Sequence, residues 1–279
     1  MVIQNEVRMA GERKSLRDKM RPAVLIERTE VMGPEVAIFK FQPKDGPVFA
    51  FNPGQYATLG LAIGDKFVAR AYSIASSPYT REYLELYINV VDQGEFTPSL
   101  FALTPGDEIY YMGPKGIFTL NKSDAKHLLF IATGTGLAPY VSMLRTMHID
   151  KCAGKPHGRV ITLVHGVRFS SDLGYQDELR ELARDPAFNL VYLPLVSRPD
   201  GDPGWTPAFG RGRITELFQQ DAARAAAALP EGVDAEFVFS RLPYDELGVF
   251  LCGNPDMIRD STELLKERGA GTVITEEYW

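Results

Sequence analysis

An apolar run, His127–Thr133, leads directly into Gly134-Thr135-Gly136. Apolar residues at helical spacing then predict a helix over 137–148, and Pro139 suits its first turn, where N–H groups have no helical partner. A strand, a glycine turn and a helix bring backbone N–H groups and a helix N-terminus up to a phosphate. The spacing G-x-G-x-x-P lacks the third glycine of the dinucleotide fingerprint, so a purely structural turn is the alternative.

A second chemical pattern is Arg70-Ala71-Tyr72-Ser73. On a strand, Arg70 and Tyr72 share one face and Ser73 points to the other. Arginine neutralises a diphosphate by bidentate hydrogen bonds, tyrosine lies flat on an aromatic ring system, and a serine hydroxyl bonds a ring nitrogen. The turn Gly94–Thr97 offers N–H groups and a hydroxyl to the same diphosphate. The alternative is an ordinary barrel strand with a cross-strand arginine and a core tyrosine.

Arginines follow several of the predicted strands. Arg168 follows the second strand of the C-terminal half, Ser197 and Arg198 follow the third, and Arg213 opens the next helix. A 2′-phosphate adds negative charge, so an NADP site needs cations beyond the strand ends, whereas an NAD site often has an acidic residue there. Arginines at these positions would suit a 2′-phosphate, and the alternative is a set of solvated surface arginines.

The elements that must position these residues differ between the two halves of the chain. Residues 22–122 alternate short β-rich runs with Gly/Pro turns, which predicts an antiparallel β-barrel or sandwich whose only short helix lies near Pro98–Leu103. In residues 123–279, strands alternate with helices, which predicts a parallel, doubly wound sheet whose ligand lies beyond the carboxyl ends of its strands. The predicted strands are His127–Thr133, Val160–His165, Leu190–Leu193 and Val249–Cys252, and the predicted helices lie near 137–148, 174–184, 213–228 and 255–268.

Composition excludes several classes of protein. The net charge of −6 over 279 residues argues against nucleic acid as the main partner. The two cysteines, Cys152 and Cys252, form no C-x-x-C, which rules out a cysteine-ligated iron–sulfur cluster or zinc site within this chain and fits a reducing compartment such as the cytoplasm. No apolar run is long enough to span a membrane, and the first twenty residues lack the apolar core of a secretory signal.

Taken in chain order, these motifs resemble those of the ferredoxin/flavodoxin–NADP⁺ reductases, in particular their bacterial branch, over residues 22–279. The resemblance implies that Arg70 binds the FAD pyrophosphate, that Tyr72 lies against the flavin and that Ser73 lies near its reactive N5 edge. Cys252-Gly253-Asn254-Pro255 is similar to the family element whose cysteine sits beside the nicotinamide; the alternative is a buried cysteine that acts as a small apolar residue. The implied catalytic residues are Tyr72, Ser73 and Cys252. The implied cofactor-binding residues are Arg70, Ala71, Tyr72, Ser73, Tyr87, Gly94, Phe96, Thr97, Thr133, Gly134, Thr135, Gly136, Pro139, Arg168, Ser197, Arg198, Arg213, Cys252, Gly253 and Trp279, with no metal ligand.

The resemblance also implies a reaction: hydride transfer between NADPH and FAD, with one-electron exchange to a separate ferredoxin or flavodoxin. Such carriers are usually acidic, so Lys and Arg are expected around the flavin edge. We expect a monomer. One alternative is an NADH-dependent reductase component that feeds an oxygenase, or a free flavin reductase. An alternative of another class is a non-catalytic, flavin-binding, redox-sensing subunit.

Both ends of the chain carry weaker signals. Residues 1–21 mix basic and acidic residues without apolar periodicity, which predicts a mobile basic tail, with a docking arm or a targeting segment as alternatives. The chain ends Glu276-Glu277-Tyr278-Trp279, similar to the extended bacterial tail whose aromatic residues lie near FAD. The ring that Trp279 contacts is left open, and Glu276 or Glu277 are candidates for a proton relay.

Overall fold

The computed structural model describes residues 15–31 and 33–277. Within these ranges, an antiparallel six-stranded sheet is followed along the chain by a parallel six-stranded sheet. This arrangement confirms the predicted fold class. Residues 1–14 of the basic tail predicted over 1–21, and Tyr278 and Trp279, lie outside the described residues. The rest of the predicted tail is structured, because Arg17–Lys19 form a 3-10 turn and Arg21 begins the first strand.

The first sheet forms the barrel domain. Its strands are β1 (Arg21–Glu30), β2 (Val36–Pro43), β3 (Tyr56–Ile63), β4 (Lys66–Ser73), β5 (Leu84–Asn89) and β6 (Glu108–Lys115). Their order across the sheet is β4-β3-β6-β1-β2-β5, with antiparallel pairing throughout. An antiparallel bridge between Ile74 and Leu86 joins the two outermost strands, so the sheet closes on itself. Closure removes the unpaired edges that an open sheet would expose.

Strand β5 shows how the pattern builds the barrel. Leu84, Leu86 and Ile88 alternate along it and are at most 1% exposed, because this face fills the barrel core. The opposite face is also buried: Glu85 is 4% and Tyr87 is 3% exposed. Helix α1 (Phe96–Phe101) follows β5 and begins two residues before the predicted short helix.

The second sheet forms the α/β domain. Its strands are β7 (His127–Thr133), β8 (Val160–Val167), β9 (Leu190–Val196), β10 (Gly210–Arg211), β11 (Leu247–Gly253) and β12 (Val273–Glu277). Their order is β10-β9-β8-β7-β11-β12, and all pairs are parallel. The strand order reverses between β7 and β11. Ligands of open parallel sheets bind at such a reversal, outside the carboxyl ends of the strands.

Helices cover both faces of this sheet. They are α2 (Ala138–Cys152), α3 (Gln176–Arg184), α4 (Ala222–Ala227), α5 (Ala235–Ser240) and α6 (Pro255–Glu267). Leu128 and Phe130 pack in one core cluster with residues of α2 and α3, whereas Leu129 and Ile131 pack in another with residues of α5 and α6. The first cluster also contains Tyr87 and other residues of the barrel domain, so the two domains share a buried apolar contact. No helix in the described ranges is long and apolar enough to cross a membrane.

The single helix predicted over 213–228 is wrong. A 3-10 turn at Ile214–Phe218 is followed by a break, after which α4 begins at Ala222. The break arises because the side chain of Asp221 accepts hydrogen bonds from the N–H groups of Ala223 and Arg224, which starts a new helix rather than continuing an old one. The helix predicted over 255–268 is confirmed as α6, with Asn254 as its N-cap.

Candidate functional site

The face of β4 carries a cation beside an aromatic ring. Arg70 is exposed and, among the described residues, makes no ion pair; its guanidinium donates only to the Ala69 carbonyl, at 2.8 Å. Tyr72 is half-buried, its ring 5.9 Å from that of Phe96 and tilted by 30°. Burial raises the pKa of Tyr72 while the charge of Arg70 lowers it, so the phenol stays neutral. An uncommitted guanidinium beside a flat ring suits an aromatic group that carries a diphosphate.

The turn Gly94–Thr97 is engaged within the barrel. The Gly94 N–H donates to the Val91 carbonyl at 2.8 Å, and the Thr97 hydroxyl accepts from the Val91 N–H at 2.8 Å. Phe96 is 2% exposed and packs against Tyr72, so it supports that ring from behind. This turn therefore supports the β4 face through Phe96, and the Thr97 hydroxyl accepts a hydrogen bond from within the barrel domain.

Tyr87 faces the α/β domain. Its hydroxyl donates to the Asp172 carbonyl at 2.8 Å and accepts from the Gly174 N–H at 3.0 Å. Burial raises its pKa, because an ionised phenolate would lose its hydration. The structure thus commits the polar end of Tyr87 to a contact between the domains.

Three side chains from separate elements meet at one carboxylate. Ser73, at the end of β4, is 3% exposed and donates to Glu276 Oε2 at 2.8 Å. The Sγ atom of Cys252, at the end of β11, lies 4.0 Å from the same oxygen. Cys252 is fully buried, and its neighbours in register are Ala132 of β7 and Glu276 of β12. The structure brings Ser73 and Cys252 together at Glu276, which is one of the two acidic residues considered at the end of the chain.

The glycine turn lies at the reversal in strand order, against the end of β11. A Cβ atom on Gly136 would lie 2.4 Å from the Cys252 carbonyl oxygen, and one on Gly253 (φ +133°) would lie 2.2 Å from Thr133 Oγ1. Only glycine permits this approach of the two strand ends. Gly134 (φ +52°) is different, because the position of its missing Cβ is open for 4 Å. Pro139 is buried in the first turn of α2.

His165 holds this turn, a role that sequence reasoning missed because it considered histidines only as metal ligands. The side chain is 0% exposed, its Nε2 donates to the Gly134 carbonyl at 3.0 Å, and its Nδ1 accepts from the Tyr192 hydroxyl at 3.4 Å. Burial lowers the pKa of His165 to about 4, although the bond to Gly134 opposes this shift. The imidazole is therefore neutral near pH 7. Its place at the end of a predicted strand was the available signal.

The arginines beyond the strand ends come from adjacent strands. In register, Val167 pairs with Val196, and Val196 pairs with Arg211, so β8, β9 and β10 end side by side. The Arg198 N–H donates to the Arg168 carbonyl at 3.1 Å, and the Ser197 hydroxyl donates to the Val167 carbonyl at 3.0 Å. These hydrogen bonds hold the backbones of Arg168 and Arg198 side by side.

Charge pairing separates these arginines into two kinds. Arg168, Arg198 and Arg213 are exposed and make no side-chain ion pair within the described ranges. Arg211 forms an ion pair with Asp200, and its guanidinium lies 5.4 Å from the ring of Trp205. Uncommitted cations at one edge of a parallel sheet are what a phosphate requires.

Comparison with known proteins finds a match to a different domain family in each half of the chain. Residues 22–120 match the oxidoreductase FAD-binding domain, and residues 130–263 match the oxidoreductase NAD-binding domain. The flavodoxin/ferredoxin–NADP reductase of Shigella flexneri is 34% identical over 246 residues, which cover 84% of this chain and 90% of that one. The ferredoxin–NADP reductase of Pseudomonas aeruginosa is 31% identical over 242 residues, covering 83% and 84%.

A solved structure shows the same fold. It is a ferredoxin NADP⁺ reductase from Neisseria gonorrhoeae with bound FAD and NADP, and it matches with a TM-score of 0.76 at 22% identity over 94% of this chain and 99% of that one. The two sheets and the domain matches define an oxidoreductase that binds FAD and a nicotinamide dinucleotide. Within that class, the chain belongs to the ferredoxin/flavodoxin–NADP reductase family.

Proposed function

We propose that this chain oxidises NADPH and passes the electrons to a ferredoxin or flavodoxin. The observation that carries the proposal is the meeting of Ser73, Cys252 and Glu276, because it joins the flavin side of the molecule to the nucleotide side. The names of the relatives support the same reaction. When bound, FAD accepts a hydride and releases electrons one at a time, which protein side chains alone do not do.

The residues of β4 fit the flavin. We propose that Arg70 binds the diphosphate and that Tyr72, backed by Phe96, orients the ring system. The Ser73 hydroxyl is directed by Glu276, which is itself only half-buried and thus connects a buried hydroxyl to the surface. Glu276 is therefore the group best placed to exchange a proton between Ser73 and solvent.

The edge of the α/β domain fits NADPH. The uncommitted Arg168, Arg198 and Arg213 are proposed to bind the 2′-phosphate, and the turn that His165 holds is proposed to bind the pyrophosphate. Cys252 is buried against Ala132 and is proposed to line the nicotinamide end as an apolar contact, without acting as a nucleophile.

The electron carrier is proposed to dock at the loop next to Glu276. Ile117 is 75% exposed, Lys115 is exposed, and a Cβ on Gly116 between them would lie 3.6 Å from Glu276 Oε1. An exposed apolar residue with a neighbouring cation suits an acidic carrier, although the whole chain has a net charge of −6. Because one chain supplies both nucleotide sites, we propose that it works as a monomer. A cytoplasmic location and a docking role for the basic tail stay predictions.

The deciding experiment is an anaerobic absorption spectrum of the FAD-loaded protein, recorded before and after NADPH and, separately, NADH. Rapid bleaching with NADPH and slow bleaching with NADH is the expected result, followed by reoxidation when ferredoxin or flavodoxin is added. Bleaching with NADH alone would instead assign the chain to the oxygenase-reductase or flavin-reductase alternative. Failure to bind FAD would refute the role of Arg70, Tyr72 and Ser73, and slow oxidation with every acceptor would favour a redox-sensing subunit.

A further inference from the structure

One face of β5 joins the barrel domain to the α/β domain through three polar contacts. Glu85, Tyr87 and Asn89 alternate along the strand and therefore share this face. Glu85 accepts from Arg145 of α2 at 2.6 Å, and Asn89 accepts from the Thr135 hydroxyl of the glycine turn at 3.2 Å. With the bonds of Tyr87 described above, every polar residue on this face reaches across the interface.

Arg145 is the centre of this contact. Its Nη1 donates to Glu85 Oε1 at 2.6 Å and to the Ala75 carbonyl at 3.2 Å. Its Nε and Nη2 donate to the carboxylate of Glu178 on α3, at 2.6 and 2.8 Å. The hydroxyl of Tyr175 donates to the same Glu85 oxygen at 2.9 Å. The guanidinium therefore bridges a carboxylate from each domain.

Burial makes this bridge sensitive to loss of either partner. The Glu85 side chain is 5% exposed and that of Arg145 is 24% exposed. Burial opposes the charge of Arg145, but its hydrogen bonds to Glu178 and the nearby charge of Glu85 raise its pKa overall. A buried ion pair that loses one member leaves an uncompensated charge, which is far more costly than breaking an exposed pair.

Arg145 and two other residues of α2 also bind the segment that directly follows Ser73. Besides the bond from Arg145 to Ala75, the Ser142 hydroxyl donates to the Ser76 carbonyl at 2.7 Å, and the Ser77 and Thr146 hydroxyls are 2.9 Å apart. All three α/β-domain partners lie on α2, whose first residue follows the glycine turn. Helix α2 thus connects the segment after β4 to the glycine turn that immediately precedes the helix.

We propose that Glu85 and Arg145 are positioning residues for hydride transfer. Their ion pair, together with the bond from Arg145 to the Ala75 carbonyl, holds β5 and the segment after Ser73 against the helix that follows the glycine turn, and so sets how the two nucleotides meet. The inference rests on the proposed function. Reactions between two bound groups depend steeply on such placement, and a displacement of about 1 Å can cost about a hundredfold in rate.

The test compares Glu85→Gln with Glu178→Gln as its matched control. Both changes remove one carboxylate from Arg145 while keeping the side-chain shape, but only Glu85 belongs to the barrel domain. The rate of flavin bleaching at saturating NADPH and the Kd for NADPH would be measured for each FAD-loaded variant. Amide hydrogen exchange of residues 74–77 in the full-length protein supplies a readout that is independent of activity.

We expect Glu85→Gln to slow bleaching about tenfold, to leave the Kd for NADPH within about twofold, and to accelerate exchange in residues 74–77. Glu178→Gln should leave the bleaching rate within about twofold of wild type. If Glu85→Gln does not fold, Arg145→Lys is the second variant. A lysine ammonium cannot reach Ala75, Glu85 and Glu178 together, so the same loss of rate is expected.

A wild-type bleaching rate in Glu85→Gln would overturn the proposal. If amide exchange in residues 74–77 were nevertheless faster, the ion pair between Glu85 and Arg145 would stabilise the structure without positioning the nucleotides. Equal slowing in both variants would also overturn it, because the effect would then lie within the α/β domain. A wild-type protein that never bleaches with NADPH would contradict the proposed function instead, which separates the two failures.

Discussion

Replacing Arg198 by alanine should raise the KM for NADPH about 10- to 30-fold and leave the KM for NADH within about twofold. A charge-assisted hydrogen bond contributes about 1.5–3 kcal/mol, and because Arg198 is exposed we take the lower part of that range, about 1.5–2 kcal/mol. Every 1.4 kcal/mol is about tenfold in an equilibrium constant, which gives the expected change.

The effect should be specific to NADPH because NADH has no 2′-phosphate. The loss is expected to be partial, since Arg168 and Arg213 remain as uncommitted cations at the same edge. The matched control is Arg211→Ala. Arg211 is also exposed at this edge, but it is already paired with Asp200 and lies over Trp205, so its loss should change either KM less than about threefold.

The assay is the steady-state reduction of ferricyanide by the FAD-loaded variants, with NADPH and NADH varied in turn. We expect an unchanged kcat, because a residue that binds a remote phosphate equally in the ground and transition states affects KM alone. Equal losses with NADPH and NADH would show that Arg198 is structural. An unchanged KM for both nucleotides would mean that these arginines are merely solvated. An equal rise in the KM for NADPH in Arg211→Ala would mean that the positive charge of this edge as a whole, rather than contacts of particular arginines, attracts the phosphate.

Three further predictions concern other parts of the site. His165→Gln should flatten the dependence of unfolding free energy on pH: the pKa of buried His165 is about 4 against an ordinary 6.5, so its contribution is complete above pH 6.5 and is lost as the pH falls towards 4. The loss between pH 7 and pH 4 is about 3 kcal/mol in the wild type, and parallel curves of melting temperature against pH for both proteins would contradict it. Ser73→Ala should slow flavin bleaching about 10- to 100-fold at saturating NADPH with no change in Kd, and an unaltered stopped-flow rate would argue against a role in the chemistry. Lys115→Glu should slow association with an acidic carrier about three- to tenfold at low salt, and the difference should disappear near 0.5 M salt. The rate of flavin bleaching by NADPH should stay unchanged. A slower association that persists at high salt would not be electrostatic.

Local patterns were predicted well because each depends on a few neighbouring residues. The strand period placed Arg70 and Tyr72 on one face of β4, and the helix predicted near 255–268 begins at Pro255 as α6. The helix predicted over 213–228 failed for a local reason too, since a cap at Asp221 competed with a favourable alanine-rich run.

The second face of β5 was beyond local reasoning. Alternation along the strand distinguishes an apolar face from a polar one, and a polar face ordinarily meets solvent. Here Glu85 and Tyr87 are buried at 4% and 3% exposure, because that face meets the second domain. His165 was missed in the same way, because its partners come from other elements: Gly134 from the turn after β7 and Tyr192 from β9.

The sequence by itself determined the order of the two domains, the glycine turn after β7, the strand that carries Arg70 and the run of arginines beyond the strand ends. Those features follow from spacing and residue type, which act over one turn or one strand. Only the tertiary structure decided that Ser73 meets Glu276, 203 residues further along the chain, and that Cys252 lies beside the same carboxylate. The reason is physical: a contact between distant residues depends on sheet order and domain packing, and no local pattern encodes either of them.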